Sequence, residues 1–171
     1  MCSNITMKNY LRKISLEKRK NLCIDELSNR ILTNLYSLEE YKDARNIICY
    51  YPLKFEVQVQ KCLCDNSKKW FLPRVKNEEL EVCPYCESDL KKGSFGILEP
   101  CGRQIDSFNN IDLIIIPAVA ADINGYRIGY GKGFYDRFLS SVKTSAKKIV
   151  LIYSELLYSS VYPNKHDIKA D

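Results

Sequence analysis

The 171-residue sequence has no apolar run approaching the roughly 20 residues that would span a bilayer. Its start, Met1-Cys2-Ser3-Asn4-Ile5-Thr6-Met7-Lys8, lacks the apolar segment and cleavage site of a secretory signal. A cytoplasmic protein without a membrane partner is the expectation. Internal repeats, low-complexity tracts and domain-separating linkers are also missing. One domain over residues 1–171, with one substantial core, is therefore expected. The 46% apolar and 27% charged content excludes a disordered chain. Basic residues outnumber acidic ones 26 to 21, a net charge of +5, yet they form no patch or stripe. This balance suits small anionic substrates and falls short of a dedicated nucleic-acid binder. No nucleic-acid partner is expected, and a monomer is. The run Lys18-Arg19-Lys20 reads as the solvated face of a helix.

Eight cysteines raise the question of metal or redox chemistry. Cys62-x-Cys64 and Cys83-Pro84-Tyr85-Cys86 lack the usual spacing of paired zinc ligands, because the first pair is separated by one residue. Cys-Pro-Tyr-Cys also looks like a glutaredoxin redox pair, which needs a helix N-terminus after a strand to lower the thiol pKa. Here the motif follows the acidic stretch Glu78–Val82 and precedes polar residues. Reduced, bystander cysteines are expected.

The pattern along the chain alternates helix and strand, which implies an α/β fold. Lys8 to Leu35 reads as two helical pieces with Ser15 as N-cap of the second, and Leu16, Cys23, Leu27, Ile31 and Leu35 on one face. Asn46–Tyr51 reads as a buried strand and Val57–Cys64 as a helix. Trp70–Leu72 reads as a strand stopped by Pro73. Residues 76–110 read as short extended pieces broken by glycines and prolines. Ile111–Ile116 is apolar without interruption, so it is a strand buried on both faces, as in a parallel sheet. Gly133–Val142 reads as a helix, Lys148–Tyr153 as a strand and Glu155–Tyr158 as a short helix.

Three alternating glycines, Gly129-Tyr130-Gly131-Lys132-Gly133, lie between that buried strand and the helix. A glycine-rich turn at a helix N-terminus offers backbone N–H groups to an anion. Lys132 and Arg127 add mobile positive charge, and Asp136 a carboxylate one turn into the helix. Together they suit a nucleotide triphosphate with its magnesium. The loop is not a P-loop: the required first glycine falls on Tyr126, and Gly133 follows Lys132 in place of Ser or Thr. Nor is it the Gly-x-Gly-x-x-Gly of dinucleotide folds.

Read in full, Ile111 to Arg137 resembles the signature of the 5-formyltetrahydrofolate cyclo-ligases, also called 5,10-methenyltetrahydrofolate synthetases. Lys8-Asn9-Tyr10-Leu11-Arg12, Glu56-Val57, Leu72-Pro73-Arg74, Phe95 to Pro100 and His166-Asp167 match further family motifs in order. Ala118, Ala121 and Phe134 depart from the usual Gly, Phe and Tyr, and the two alanines widen the pocket beside the loop. The resemblance implies a three-layer α/β/α fold with a mostly parallel sheet. It also implies ATP-dependent closure of 5-formyltetrahydrofolate to 5,10-methenyltetrahydrofolate. It puts Lys8, Arg12 and the run Arg127, Ile128, Gly129, Tyr130, Gly131, Lys132, Gly133, Phe134 and Tyr135 on ATP. Glu56, Phe95, Tyr130, Gly131, Lys132, Gly133 and Phe134 fall on the folate, and Asp136 and Asp167 on Mg²⁺. Lys132, Arg127 and Tyr135 carry the catalytic roles. His166, the only histidine, neighbours a metal ligand and is no general base. Two rivals stay open: a non-catalytic nucleotide- or RNA-binding module on the same fold, and a thiol oxidoreductase using Cys83 and Cys86.

Overall fold

The computed structural model describes residues 4–93, 96–142 and 144–171. Helix α1 spans Asn4–Lys18 and α2 spans Ile24–Ser37, so the two expected helical pieces are present. The break between them lies later than expected. A 3₁₀ turn occupies Arg19–Asn21, and Cys23, not Ser15, is the N-cap of α2. Ser15 is buried within α1, where its hydroxyl meets that of Tyr158 at 2.9 Å. Of Lys18-Arg19-Lys20 only the two lysines are exposed. Arg19 is 4% exposed, which corrects the reading of that run as solvated. A short α3, Glu39–Asp43, leads into the sheet.

The strands are β1 (Asn46–Ile48), β2 (Lys69–Lys76), β3 (Glu79–Pro84), β4 (Leu90–Lys92) and β5 (Leu98–Pro100). After them come β6 (Leu113–Ile116), β7 (Ala120–Asp122), β8 (Arg127–Ile128), β9 (Lys147–Val150) and β10 (Leu157–Tyr158). The central sheet has the order β3-β2-β1-β6-β9. Its inner pairings are parallel and only β3 runs antiparallel, at the edge. The mostly parallel sheet is as expected.

Alternation along the inner strands divides the core between the two faces of the sheet. Ile47, Leu113 and Ile115 pack with Leu32 and Leu35 of α2. Ile48, Ile114 and Ile116 pack against Phe138 on helix α4, Phe134–Ser141. The result is three layers, helix–sheet–helix. Each fully buried Ile or Leu contributes about 1.5–3 kcal/mol, which explains why the unbroken run Leu113–Ile116 seats the centre of the sheet. A third, smaller cluster of Leu11, Ala120, Ile128 and Val161 glues α1 to a three-stranded sheet, β10-β7-β8.

Several boundaries differ from expectation. β2 runs through Pro73, because its pairing with β1 ends at Phe71 and the missing N–H costs no ladder bond. β1 stops at Ile48, and Cys49 donates one further bond to the Phe71 carbonyl before the chain turns away. Val57–Cys64 is not a helix. Only Cys62–Cys64 forms a 3₁₀ turn. Ahead of it, the Gln58 amide donates to the Leu53 and Glu56 carbonyls and the Gln58 N–H to Ser28 Oγ, which replaces a helical ladder. β9 is shorter than expected, and Glu155–Tyr158 splits into a 3₁₀ turn, Ser154–Leu156, and β10.

One glycine fixes how the C-terminal segment returns to this core. Gly125 has φ +90°, and a Cβ there would lie 2.7 Å from the Ala170 carbonyl oxygen. The Gly125 carbonyl also accepts the Ala170 N–H. Gly125→Ala should therefore cost about 1–3 kcal/mol from backbone strain and overpacking. Thermal denaturation should show a midpoint several degrees below that of the parent protein, and an unchanged midpoint would refute this packing.

Candidate active site

The loop between β8 and α4 adopts a conformation that only its glycines reach easily. Gly131 has φ +98° and Gly133, the N-cap of α4, has φ +68°. The backbone N–H groups of 129–133 donate to no other described residue. A row of free N–H groups at a helix start forms an anion cradle. Lys132 is exposed beside it. Arg12 approaches from α1: its Nε donates to the Gly129 carbonyl at 2.8 Å, which lays the guanidinium next to Gly131.

Two cation–carboxylate pairs flank the cradle. The Lys8 ammonium is paired with Asp167 Oδ2, an oxygen that also accepts the Asn164 N–H. Arg127 Nη2 donates to Asp136 Oδ1 at 3.0 Å, and Nη1 to the Ile168 carbonyl at 2.7 Å. Asp136 Oδ1 accepts the Ile168 N–H as well. The Arg127 side chain is only 3% exposed, so it is not the mobile charge the sequence suggested. Its partners clamp it. Asp122 plays a scaffolding part, accepting the N–H groups of Asn124, Tyr126 and Val161.

Opposite the cradle, the turn after β1 delivers Glu56. Tyr50 donates to the Val57 carbonyl, and the Leu53 N–H donates to Glu56 Oε2 at 2.8 Å. Burial pushes the Glu56 carboxyl up; the Leu53 N–H, the Arg19 charge and Tyr130 pull the other way. Burial likewise holds the Tyr135 phenol up, and its hydroxyl is buried with no partner among the described residues. An unpartnered buried hydroxyl is costly unless something else occupies the space before it.

These groups line one cavity of about 630 Å³. Lys8, Arg12, Glu56, Asp136, Asp167 and every residue of 127–135 contribute to its wall. The structure thus brings together the sequence-predicted residues of the site, apart from Phe95, which lies outside the described residues. Sequence reasoning missed Arg19, hidden in a basic run, and Tyr50, hidden in a strand pattern. It also missed any cavity role for Arg74, though the Leu-Pro-Arg motif contains it. Arg74 braces Glu81 at 2.7 Å and the Gly102 carbonyl at 2.8 Å.

The 5-formyltetrahydrofolate cyclo-ligase family profile matches residues 5–171. The chain belongs to this family. It is 32% identical over 150 residues to the 5-formyltetrahydrofolate cyclo-ligase of Mycoplasma genitalium, covering 85% of this chain and 84% of that one. The structure resembles the solution structure of the Aquifex aeolicus 5,10-methenyltetrahydrofolate synthetase with a TM-score of 0.84 and 35% identity, covering 96% of this chain and 87% of that one. It is similar to the Mycoplasma pneumoniae 5,10-methenyltetrahydrofolate synthetase at a TM-score of 0.75 and 26% identity, over 96% and 95% of the two chains. The protein is an enzyme of folate one-carbon metabolism. As a cyclo-ligase it converts 5-formyltetrahydrofolate to 5,10-methenyltetrahydrofolate, and family membership implies the use of ATP. No helix among the described residues is long and apolar enough to cross a membrane.

The described cysteines of this cyclo-ligase stand apart from the cavity wall. Cys83 is fully buried in β3, and burial raises its thiol pKa, the reverse of what a redox nucleophile needs. Cys86 is exposed just past the strand end. Among the described residues no three His, Cys, Asp or Glu side chains group as metal ligands. In the native state, iodoacetamide should alkylate Cys23, Cys64, Cys86 and Cys101 and spare Cys49, Cys62 and Cys83. Peptide mass mapping checks this, and rapid native labelling of Cys83 would contradict its burial.

Proposed function

We propose that the cavity holds ATP and 5-formyltetrahydrofolate together and closes the folate ring through a phosphorylated formyl oxygen, within a single domain. The observation that carries this reading is the unpartnered row of N–H groups at 129–133, flanked by Arg12, Lys132 and Lys8. A formamide oxygen is a poor leaving group. It first attacks the γ-phosphorus of ATP and expels ADP. N10 then attacks the resulting imidoyl carbon and loses its proton, and phosphate leaves. Catalysis of such a step is mostly positioning and offset of spreading negative charge. The loop amides, Lys132 and Arg12 face the triphosphate. Tyr135, whose buried hydroxyl lacks a protein partner, donates towards the reacting oxygens.

The two carboxylates fit a magnesium ion that arrives with the nucleotide. Among the described residues, each takes its hydrogen bonds on one oxygen only, Oδ1 of Asp136 and Oδ2 of Asp167. The other oxygen of each is left for a cation, and Mg²⁺ uses one or two carboxylates beside phosphates and water. Bound there, it would neutralise phosphate charge. Arg127 holds the Asp136 carboxylate in orientation, and Lys8 exchanges Asp167 for a phosphate oxygen. On the folate side, Glu56 accepts pteridine N–H groups, and Tyr130 and Phe134 offer ring faces.

With Mg²⁺ and ATP the purified protein should turn 5-formyltetrahydrofolate into the methenyl form, followed by the absorbance of the product. A folded, ATP-binding preparation without turnover would sink this reading. Lys132→Ala should lower kcat/KM for ATP on the order of ten- to a hundredfold, the value of one charge-assisted contact of about 1.5–3 kcal/mol. Folate affinity should barely move, and unchanged ATP kinetics would remove Lys132 from the phosphates. Asp136→Asn should abolish Mg²⁺-dependent turnover. As a mere helix-dipole charge, Asp136 would matter by only about 1 kcal/mol. Retention of most activity at ordinary Mg²⁺ would leave it only that role and its bonds to Arg127 and Ile168.

A further inference from the structure

Arg19 sits in the 3₁₀ turn between α1 and α2, 4% exposed. The cavity wall carries Glu56 and Tyr130, and Arg19 stands behind them. Its Nη2 donates to the Tyr130 hydroxyl, and its guanidinium carbon lies 5.3 Å from the centre of that ring. Its Nε is buried with no hydrogen-bond partner among the described residues. A guanidinium buried with an unsatisfied N–H is costly to keep unless an opposite charge lies close. Here that charge is Glu56, itself 5% exposed and drawn towards its ionised form by Arg19.

Tyr130 remains 44% exposed although its hydroxyl is tethered. A half-exposed aromatic ring pinned at its polar end on a cavity wall is a stacking platform with its orientation already fixed. The groups facing Glu56 are the Leu53 N–H, Arg19 and the phenols of Tyr50, Tyr130, Tyr135 and Tyr153. Arg19 is the cation among them.

We propose that Arg19 is a positioning residue for the pteridine end of the folate, fixing the Tyr130 ring and supplying the charge opposite Glu56 from behind the cavity wall. This rests on the reading that Glu56 and Tyr130 contact the folate. It assigns Arg19 to folate affinity and not to the nucleotide. Without Arg19, the buried carboxyl protonates at higher pH, so acceptance of pteridine N–H groups fails sooner as pH falls.

The test is equilibrium binding of 5-formyltetrahydrofolate and, separately, of ATP across a pH series. Arg19→Met should weaken folate binding on the order of tenfold, move upward the pH below which it fails, and leave ATP affinity intact. Arg19→Lys keeps the charge but loses the fork, so it should return that pH to the parent value with part of the affinity still missing. Glu56→Gln separates the two layers of the argument. If Glu56→Gln weakens folate binding while Arg19→Met matches the parent in affinity and pH profile, the Arg19 role is overturned and the Glu56 reading survives. If Glu56→Gln binds folate like the parent, the reading of Glu56 fails and takes this proposal with it. Should Arg19→Met not fold, Arg19→Lys decides: reduced affinity at an unchanged pH midpoint supports the proposal, and parent-like affinity overturns it.

Discussion

Arg127 ties together three parts of the chain, beside the Gly125–Ala170 bond that brings the C-terminal segment back to the core. It comes from β8, its carboxylate partner from the first turn of α4, and its carbonyl partner from Ile168 near the C-terminus. Asp136 completes the knot by accepting the Ile168 N–H. Removing one member of a fully buried pair costs roughly 3–5 kcal/mol. The figure is smaller here, because the Asp136 side chain keeps 30% of its exposure. The consequence for the site is geometric. The knot orients Asp136 and holds the segment that carries Asp167, which in turn pairs with Lys8 of α1. Asp136, Asp167 and Lys8 hang from this arrangement.

The same wall is locally uncomfortable. Gly131 and Gly133 sit in the left-handed region, and among the described residues five N–H groups, the buried Tyr135 hydroxyl and the buried Arg19 Nε find no partner. Consistency between local preference and fold normally avoids such features, and they concentrate where a ligand completes the hydrogen bonding. On the proposed function, the triphosphate, with its many acceptor oxygens, and the folate supply those partners. The core on either side of the sheet supplies the rigidity that keeps those unsatisfied groups from collapsing onto one another.

What could be read from the sequence was whatever depends on local pattern. Leu113–Ile116 announced a doubly buried strand by being apolar throughout. The alternating glycines announced a loop that only glycine fits. Patterns that tertiary contacts override were misread. Ser15 has the chemistry of a cap but spends its hydroxyl on Tyr158. Val57–Cys64 reads as a helix, yet its Gln58 N–H donates to Ser28 Oγ and its Val57 carbonyl accepts from Tyr50. Pro73 stops no strand because the neighbour on that side has already ended. Arg19 looked solvated beside two lysines that are, since a single buried cation in a basic run has no periodic signature.

The site's cations and carboxylates pair with each other, Lys8 with Asp167 and Arg127 with Asp136, and on our proposal nucleotide and metal exchange those partners. Calorimetric titration of ATP into the parent protein and Asp167→Asn, each with and without Mg²⁺, tests it most directly. Freeing Lys8 from Asp167 should make the variant bind metal-free ATP more tightly than the parent does. Loss of a carboxylate should make it gain less from Mg²⁺, so the two effects cross. If Asp167→Asn binds ATP like the parent protein both with and without Mg²⁺, the exchange does not take place and the account of the site is wrong.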